Sequence, residues 1–267
     1  MIGWILYQEE DLEKNQWWIK HLQQLFAKRD ISLKLAQTIT DIDTVDFIIN
    51  RTREYHYAEF FENQNVRVFN NAEVNNLAND KYLTYMKATS LGIPVLKSEI
   101  LTSGWLPETT TYPFVLKSIG GHGGKEVFWV EDKKKWNTLS SIIEPEKWLI
   151  QEAASVFGQD LRVYIIGNQI QVGMLRTSMV DFRCNYSLGG KAEPAAIPND
   201  VKNIITTLTD RYSFDYVGID FLQHHNQYVL NEIEDPVGSR MVYEKTNIDL
   251  GERLVQWIVD SMQDYKK

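Results

Sequence analysis

The chain is poor in several things, and each shortage excludes something. Cys184 is the single cysteine among 267 residues, so no intrachain disulfide can form, which fits a reducing compartment. No uncharged apolar run approaches the roughly 20 residues of a membrane span. Residues 1–7 are apolar but run into Glu9, Glu10 and Asp11, without the basic start or cleavage site of a signal peptide. The expected location is the cytoplasm. Positive charge is also short: 28 Lys and Arg stand against 36 Asp and Glu, a formal charge of −8. Nucleic-acid and membrane partners are therefore not expected, and any grip on phosphate must come from a local cationic pocket. No Gly-x-Gly-x-x-Gly follows the first apolar strand. A Walker A loop is absent too, because no glycine stands five residues before Gly124 and Glu126 follows Lys125 where Ser or Thr is needed. There is no internal repeat, low-complexity tract or flexible linker. What remains is ordinary globular material, 43% hydrophobic and 24% charged, enough for one large domain or two to three small ones.

The most informative stretch is residues 217–240. It reads as two apolar strands turning at residues 223–226, with Asp220 between Ile219 and Phe221, and with Glu232 and Glu234 closing the second strand. Alternate strand residues share a face, so Glu232 and Glu234 point the same way, opposite Ile233. Antiparallel pairing would bring Asp220 near them. Three carboxylates at a core edge repel strongly unless a cation sits among them, and hard oxygen ligands suit Mg²⁺ or Mn²⁺ beside nucleotide phosphates. A solvated acidic hairpin end is the plainer alternative. The apolar neighbours of Asp220 weigh toward metal.

The first third alternates strand and helix, with strands over 3–7, 45–49 and 66–69 and an apolar helical face of Trp18, Leu22, Leu25 and Phe26 over 11–29. That pattern implies a parallel, Rossmann-like sheet covered by helices. Residues 80–91 form a helix stopped by Gly92 and Pro94. A small α+β unit follows: a strand over 112–117, a glycine-rich loop over 118–125, a strand over 126–130, a helix over 132–142 and a strand over 148–152. The last part opens on a hairpin over 160–176, passes a looser stretch and a helix over 199–212, and closes on an amphipathic helix over 249–262. The fold class is thus α/β and α+β, with units expected at 1–79, 80–152 and 153–267.

Lys117 ends an apolar strand at the mouth of the loop carrying Gly121, His122, Gly123 and Gly124. Glycines let backbone N–H groups approach phosphate oxygens, and a lysine beside them neutralises the same charge. A flexible hairpin tip explains the segment equally well. Gln151 and Glu152 end a buried strand where free backbone groups could meet an adenine edge. Asp160, Arg162, Arg176, Arg183 and Asn185 gather in one hairpin region, and guanidinium groups suit phosphate and carboxylate; pairing with the acidic hairpin is the alternative. Arg240 is a further candidate for a substrate carboxylate. Cys184 reads as packing, His224 and His225 as solvated turn residues, and the eight tryptophans as core.

Taken in order, these segments resemble the ATP-grasp superfamily, in its RimK-like amino-acid ligase branch. The resemblance runs over roughly residues 70–260: Asn79-Asp80-Lys81, Gly92-Ile93-Pro94, Phe114-Val115-Leu116-Lys117, the glycine loop, Gln151-Glu152 and Gly158-Gln159-Asp160-Leu161-Arg162. It continues through Asp181-Phe182-Arg183-Cys184-Asn185, Gly218-Ile219-Asp220, Glu232-Ile233-Glu234 and Glu244-Lys245-Thr246. It implies an ATP-grasp architecture, with two α+β subdomains clasping ATP behind an N-terminal α/β unit. By resemblance, Lys81 and Lys117 serve the phosphates, Glu152 and Ala153 the adenine, Asp160 the ribose, and Arg183 and Asn185 the transferring phosphoryl group. Asp220, Glu232 and Glu234 would hold Mg²⁺. The family's usual third ligand is Asn, where Glu234 stands here, and the run 235–240 departs from the usual small Asn/Ser-Pro-Gly segment. The implied activity is ATP-dependent ligation of a carboxylate to an amine, on small-molecule or peptide substrates, and relatives suggest a homo-oligomer, a dimer or tetramer. A small-molecule kinase, a nucleotide- or peptide-binding module and a structural α/β protein remain open.

Overall fold

A computed structural model describes residues 1–41, 44–102, 106–108, 110–124, 126–179, 181–184 and 190–265. Strands β1 (Ile2–Leu6), β2 (Ser32–Ala36), β3 (Phe47–Asn50) and β4 (Arg67–Phe69) form a parallel sheet in the order β2-β1-β3-β4. Helix α1 (Glu9–Ala27) lies on one face and α2 (Tyr55–Glu62) on the other. Trp18, Leu22, Leu25 and Phe26 of α1 are buried against Ile5, Phe47 and Ile49, while Ala58 and Phe61 of α2 pack on Trp4, Leu6 and Ile48. Both faces being covered, the central strands β1 and β3 read as nearly unbroken apolar runs, whereas the edge strand β2 carries Lys34 and the partly exposed Leu35. At their crossing the packing is tight: a methyl group at Gly3 would stand 2.1 Å from the ring of its register partner Phe47. Gly3→Ala is therefore expected to cost about 2–3 kcal/mol through overpacking, seen as a lowered urea midpoint with unchanged slope.

Helices α3 (Ala72–Asn79) and α4 (Lys81–Ser90) follow, each capped by a side chain: Asn71 accepts from Val74 N–H and Asp80 from Leu83 N–H, both at 2.8 Å. Strands β5 (Ser98–Ile100), β6 (Phe114–Ser118), β7 (Val127–Val130) and β8 (Trp148–Glu152) make an antiparallel sheet in the order β5-β8-β6-β7. Together with α5 (Lys133–Ser140) this unit has its own small core around Phe114, Leu116, Val130, Trp136 and Ile150. The way in and the way out are neighbours, because Glu152 N–H donates to the Lys97 carbonyl at 2.9 Å.

The third sheet, also antiparallel, holds β9 (Gln159–Ile166), β10 (Gln169–Thr177), β11 (Lys191–Ala195), β12 (Tyr216–His224) and β13 (Gln227–Glu234) in the order β11-β10-β9-β12-β13. Helix α6 (Asn199–Arg211) packs on the face that carries Leu161, Val163, Ile165, Val217, Ile219 and Phe221. On the opposite face Tyr164, Ile166, Met174 and Tyr216 join the core of the first sheet, together with α7 (Arg240–Lys245) and α8 (Leu250–Tyr265).

Several local expectations need correction. The acidic hairpin turns at His225 and Asn226 rather than over 223–226; both take left-handed φ, 46° and 64°, the geometry of a tight two-residue turn. His224 consequently belongs to β12 and is largely covered, with its ring 3.8 Å from the Glu152 carboxylate. Trp17 is not core: it is 56% exposed. Strands β2, β5 and β11 and helices α2, α3 and α7 were not expected. Lys125 and Asn185 lie outside the described residues. Among the described residues, no helix is long and apolar enough to cross a membrane.

Candidate active site

Strand alternation assembles the centre of the site. On the face of the third sheet away from α6, Arg162 stands opposite Asp220, Asp220 opposite Glu232, Gly218 opposite Glu234, and Arg176 opposite Asp160. The register shifts between Asp220 and Phe221, so that Phe221 faces Leu230 and Asn231 is the extra residue. A regular strand would put Leu230 and Glu232 on one face. The bulge turns Leu230 into the core and Glu232 into the cleft.

Oxygens of Asp220, Glu232 and Glu234 lie within 4.8 Å of one another. The cation already among them is guanidinium. Arg162 holds both oxygens of Asp220 (2.7 and 2.6 Å) and one of Glu234 (2.5 Å); Arg176 holds Asp160 (2.6 and 2.8 Å) and the same Asp220 (2.7 Å). Burial works against the charge of Asp220, yet two arginines outweigh it and keep its carboxyl below the usual range. For Asp160 and Glu234 burial prevails and pushes the carboxyls up. The arginine cluster is thus largely internal pairing, and Asp160 faces Arg176. As a donor set for a hard divalent ion the residues fit. Glu232 and the second oxygen of Glu234 are the most available ligands, and Asp220 is a shared one.

Across the cleft stands the glycine loop. Lys81, at the start of α4, donates to the Gly121 carbonyl and lies 4.0 Å from Glu232. Lys117 is 5% exposed and bonds to Asn231 Oδ1 at 3.4 Å. Burial, partly offset by Glu232, pushes its ammonium down to about 8. A methyl group at Gly121 would meet Ser118 Cβ at 2.9 Å and the movable Glu126 Oε2 at 2.7 Å, so a larger residue there would require the loop to shift. His122 lines the cleft, its imidazole pushed down by burial and by nearby Arg53. Arg183 pairs with Asp181 at 2.6 Å and donates to the Gly124 carbonyl at 2.7 Å, joining the loop to the third sheet's side.

These groups line one cleft of about 970 Å³. Gln151 is on its wall, its amide donating to Ser98 at 3.0 Å, whereas Glu152 and Ala153 lie beyond the wall. Arg240 lines it from α7, its guanidinium 3.7 Å from Glu244. Cys184 is buried there, and burial raises its thiol to about 12, which suits packing rather than attack. Sequence reasoning missed a whole side of the cleft, made by Tyr7, Trp17, Trp18, Arg51 and Arg53. The available signal was position: Tyr7 and Arg51 directly follow β1 and β3, where the strand order reverses, and ligands of parallel sheets bind at such points.

Residues 95–258 match the RimK-like ATP-grasp domain. The alpha-aminoadipate–LysW ligase LysX of Sulfurisphaera tokodaii is 25% identical over 240 residues, 83% of this chain and 82% of the relative. A RimK domain ATP-grasp protein of Sphaerobacter thermophilus superposes with TM-score 0.75 at 15% identity, covering 97% of this chain and all of the other. The ATP-grasp ligase PsnB, solved with minimal precursor, Mg and ADP, superposes with TM-score 0.69 at 15% identity, covering 100% and 97%. With the matched domain spanning most of the chain, the protein belongs to the RimK-like ATP-grasp family of carboxylate–amine ligases.

Proposed function

We propose that this chain joins a carboxylate to an amine through an acyl phosphate made from ATP. One observation carries the reading: a carboxylate trio and two lysines face each other across a single cleft beneath a glycine loop. Lys81 and Lys117 would bind the ATP phosphates, with the Gly121, Gly123 and Gly124 backbone and His122 above them. Gln151 would stand at the adenine end. Glu232 and Glu234, with Asp220, would hold Mg²⁺, which supplies charge neutralisation at the phosphates when bound. Arg162 and Arg176 keep those carboxylates in register. Asp160 is a positioning residue for Arg176, so the ribose role drawn from the resemblance is not carried forward.

In the first step an oxygen of the substrate carboxylate attacks the γ-phosphorus and ADP leaves. An amine nitrogen then attacks the acyl carbon, phosphate departs, and the nitrogen loses a proton. Neither step needs a protein nucleophile, which agrees with the inert Cys184. The chain's part is positioning, charge neutralisation and exclusion of water. Arg183, bonded to Gly124, helps hold the loop down over the cleft.

The test is ADP release with Mg²⁺-ATP and pooled amino acids, dipeptides and hydroxylated small molecules, followed by mass spectrometry. An amide product that requires both a carboxylate and an amine is expected. Glu232→Gln should lower its formation about 10²–10³-fold in a protein that keeps its folded circular-dichroism spectrum. A phosphorylated alcohol without condensation would replace the ligase mechanism with a kinase one.

A further inference from the structure

The condensation leaves one proton without an acceptor. The amine nitrogen must shed it while bonding to the acyl carbon, and a side chain placed to take it speeds that step. The carboxylates that line the cleft are already engaged. Asp160 and Asp220 are held by Arg176 and Arg162, Glu234 by Arg162, and Glu232 lies 4.0 Å from Lys81. Asp11 pairs with Arg53 at 2.6 Å, Asp235 accepts from Asn75 at 2.8 Å, and Glu244 faces Arg240 at 3.7 Å. Among the described residues a single imidazole lines the cleft, that of His122.

The loop holds this ring over the cleft from both sides. The Gly121 carbonyl accepts from Lys81 Nζ, and the Ile119 carbonyl accepts from Lys81 N–H at 3.2 Å; beyond the tip, the Gly124 carbonyl accepts from Arg183 at 2.7 Å. His122 and Gly123 are thus a tip pinned at its two ends, and among the described residues no hydrogen bond occupies the ring. Four charged groups act on it: Arg53 beyond β3, Asp11 and Glu10 of α1, and Lys81 of α4. The tip therefore bridges the phosphate-facing lysine and the side of the cleft built on the first sheet. Burial and the two cations outweigh the two acids and hold the imidazole below its ordinary range, so at neutral pH it is unprotonated and able to accept. The order of groups along the cleft leads to the same place. With adenine toward Gln151 and the phosphates at Lys81 and Lys117, the transferred phosphoryl group stands at the far end of the triphosphate. Its acyl carbon is one oxygen further on, toward the side where His122 faces Arg53 and Asp11.

We propose that His122 is the catalytic base of the condensation, taking the proton from the amine nitrogen as the amide forms. This role rests on the acyl-phosphate reading above. The nitrogen lone pair forms the N–C bond and the nitrogen becomes cationic and acidic. Its proton passes to the free imidazole nitrogen, the acyl C–O bond breaks with its electron pair leaving on phosphate, and the imidazolium then returns the proton to solvent.

Hydroxylamine separates this step from the one before it. It is a strong nucleophile but a weak base, so it arrives unprotonated at neutral pH and its adduct loses a proton readily to water. Trapping of the acyl phosphate as a hydroxamate therefore leans little on a protein base. Mg²⁺-ATP and the pooled amino acids and dipeptides would be incubated with hydroxylamine present, and amide and hydroxamate quantified together by mass spectrometry. Both products draw on one intermediate, so a loosened loop or weaker ATP binding lowers both and cancels in their ratio. In His122→Gln the ratio of amide to hydroxamate should fall about 10²–10⁴-fold, the usual worth of a general base. Imidazole added to His122→Ala should recover amide more than hydroxamate. The side chain is exposed at a loop tip, so neither variant threatens the core. An unchanged ratio in His122→Gln would overturn the proposal, whether both products fall together or neither falls. A wild-type protein that yields neither product would remove the ligase reading itself, an outcome distinct from a working ligase whose ratio ignores His122.

Discussion

Lys117→Met is expected to make a more stable protein that no longer turns over. The lysine is buried, with Asn231 Oδ1 at 3.4 Å as its hydrogen-bond partner, and its ammonium is pushed from 10.5 to about 8 by burial. A change of that size corresponds to about 3 kcal/mol held against the nucleotide-free fold. The sign follows from proton binding. Below about pH 8 both folded and unfolded chains carry the proton, and the whole cost is present. Between about 8 and 10.5 the unfolded chain binds more protons, so this contribution to stability rises with pH. Above that range the cost is gone. Methionine fills similar volume without charge. The variant should gain about 1–3 kcal/mol at pH 7 and lose the rise in stability between pH 8 and 10.5, both measurable by urea denaturation of nucleotide-free protein. Turnover should fall about 10²–10³-fold, since the phosphates lose a preorganised cation. A destabilised variant with the pH slope intact would refute the assignment of Lys117 as a strained, waiting charge.

Arg162→Met should do the opposite to stability. Arg162 holds Asp220 and Glu234 together from within the sheet, and removing one partner of a buried ionic group typically costs about 3–5 kcal/mol. Arg176 keeps its grip on Asp220, so the uncompensated charge falls mainly on Glu234. A divalent ion can take the vacated role. Millimolar Mg²⁺ is therefore expected to restore a larger part of the lost stability in the variant than it adds to the wild-type protein, up to about 2.7 kcal/mol at a hundredfold excess over its dissociation constant. Urea midpoints with Mg²⁺ and with EDTA give the comparison. Equal Mg²⁺ responses would mean that the arginine and the metal do not share the carboxylates.

Much of this was legible in the sequence. Strands β6, β8, β9, β12 and β13, helix α4 and the convergence of Asp220 with Glu232 and Glu234 follow from alternation and from turn chemistry. What stayed hidden has identifiable causes. Strand β11 carries Pro194, which suits an edge strand but weakens the strand pattern. Strand β5 has three residues and α7 six, too few for a period. The bulge at Asn231 cannot be read from spacing, since Leu230 and Glu232 differ by two and still face opposite ways. The pairing of Arg162 and Arg176 with the acids depends on register between strands far apart in sequence. Arg51 was invisible because its neighbours Asn50 and Thr52 look like any loop, and only the sheet order reveals what it faces.

The adjoining passages into and out of the second sheet have a consequence for how such chains diversify. Residues 98–152 leave and return through hydrogen-bonded neighbours, Lys97 and Glu152, and carry a core of their own. The parent body closes without them: Tyr164, Tyr216 and α8 pack directly on α1 and the first sheet. Topologically the unit is a cassette with its ends side by side, the arrangement in which insertion and exchange of domains are best tolerated. The glycine loop belongs to the cassette, while the carboxylate trio and Arg51 belong to the parent body. Swapping the cassette between relatives would therefore exchange the glycine loop over the cleft and leave the carboxylate trio and Arg51 behind.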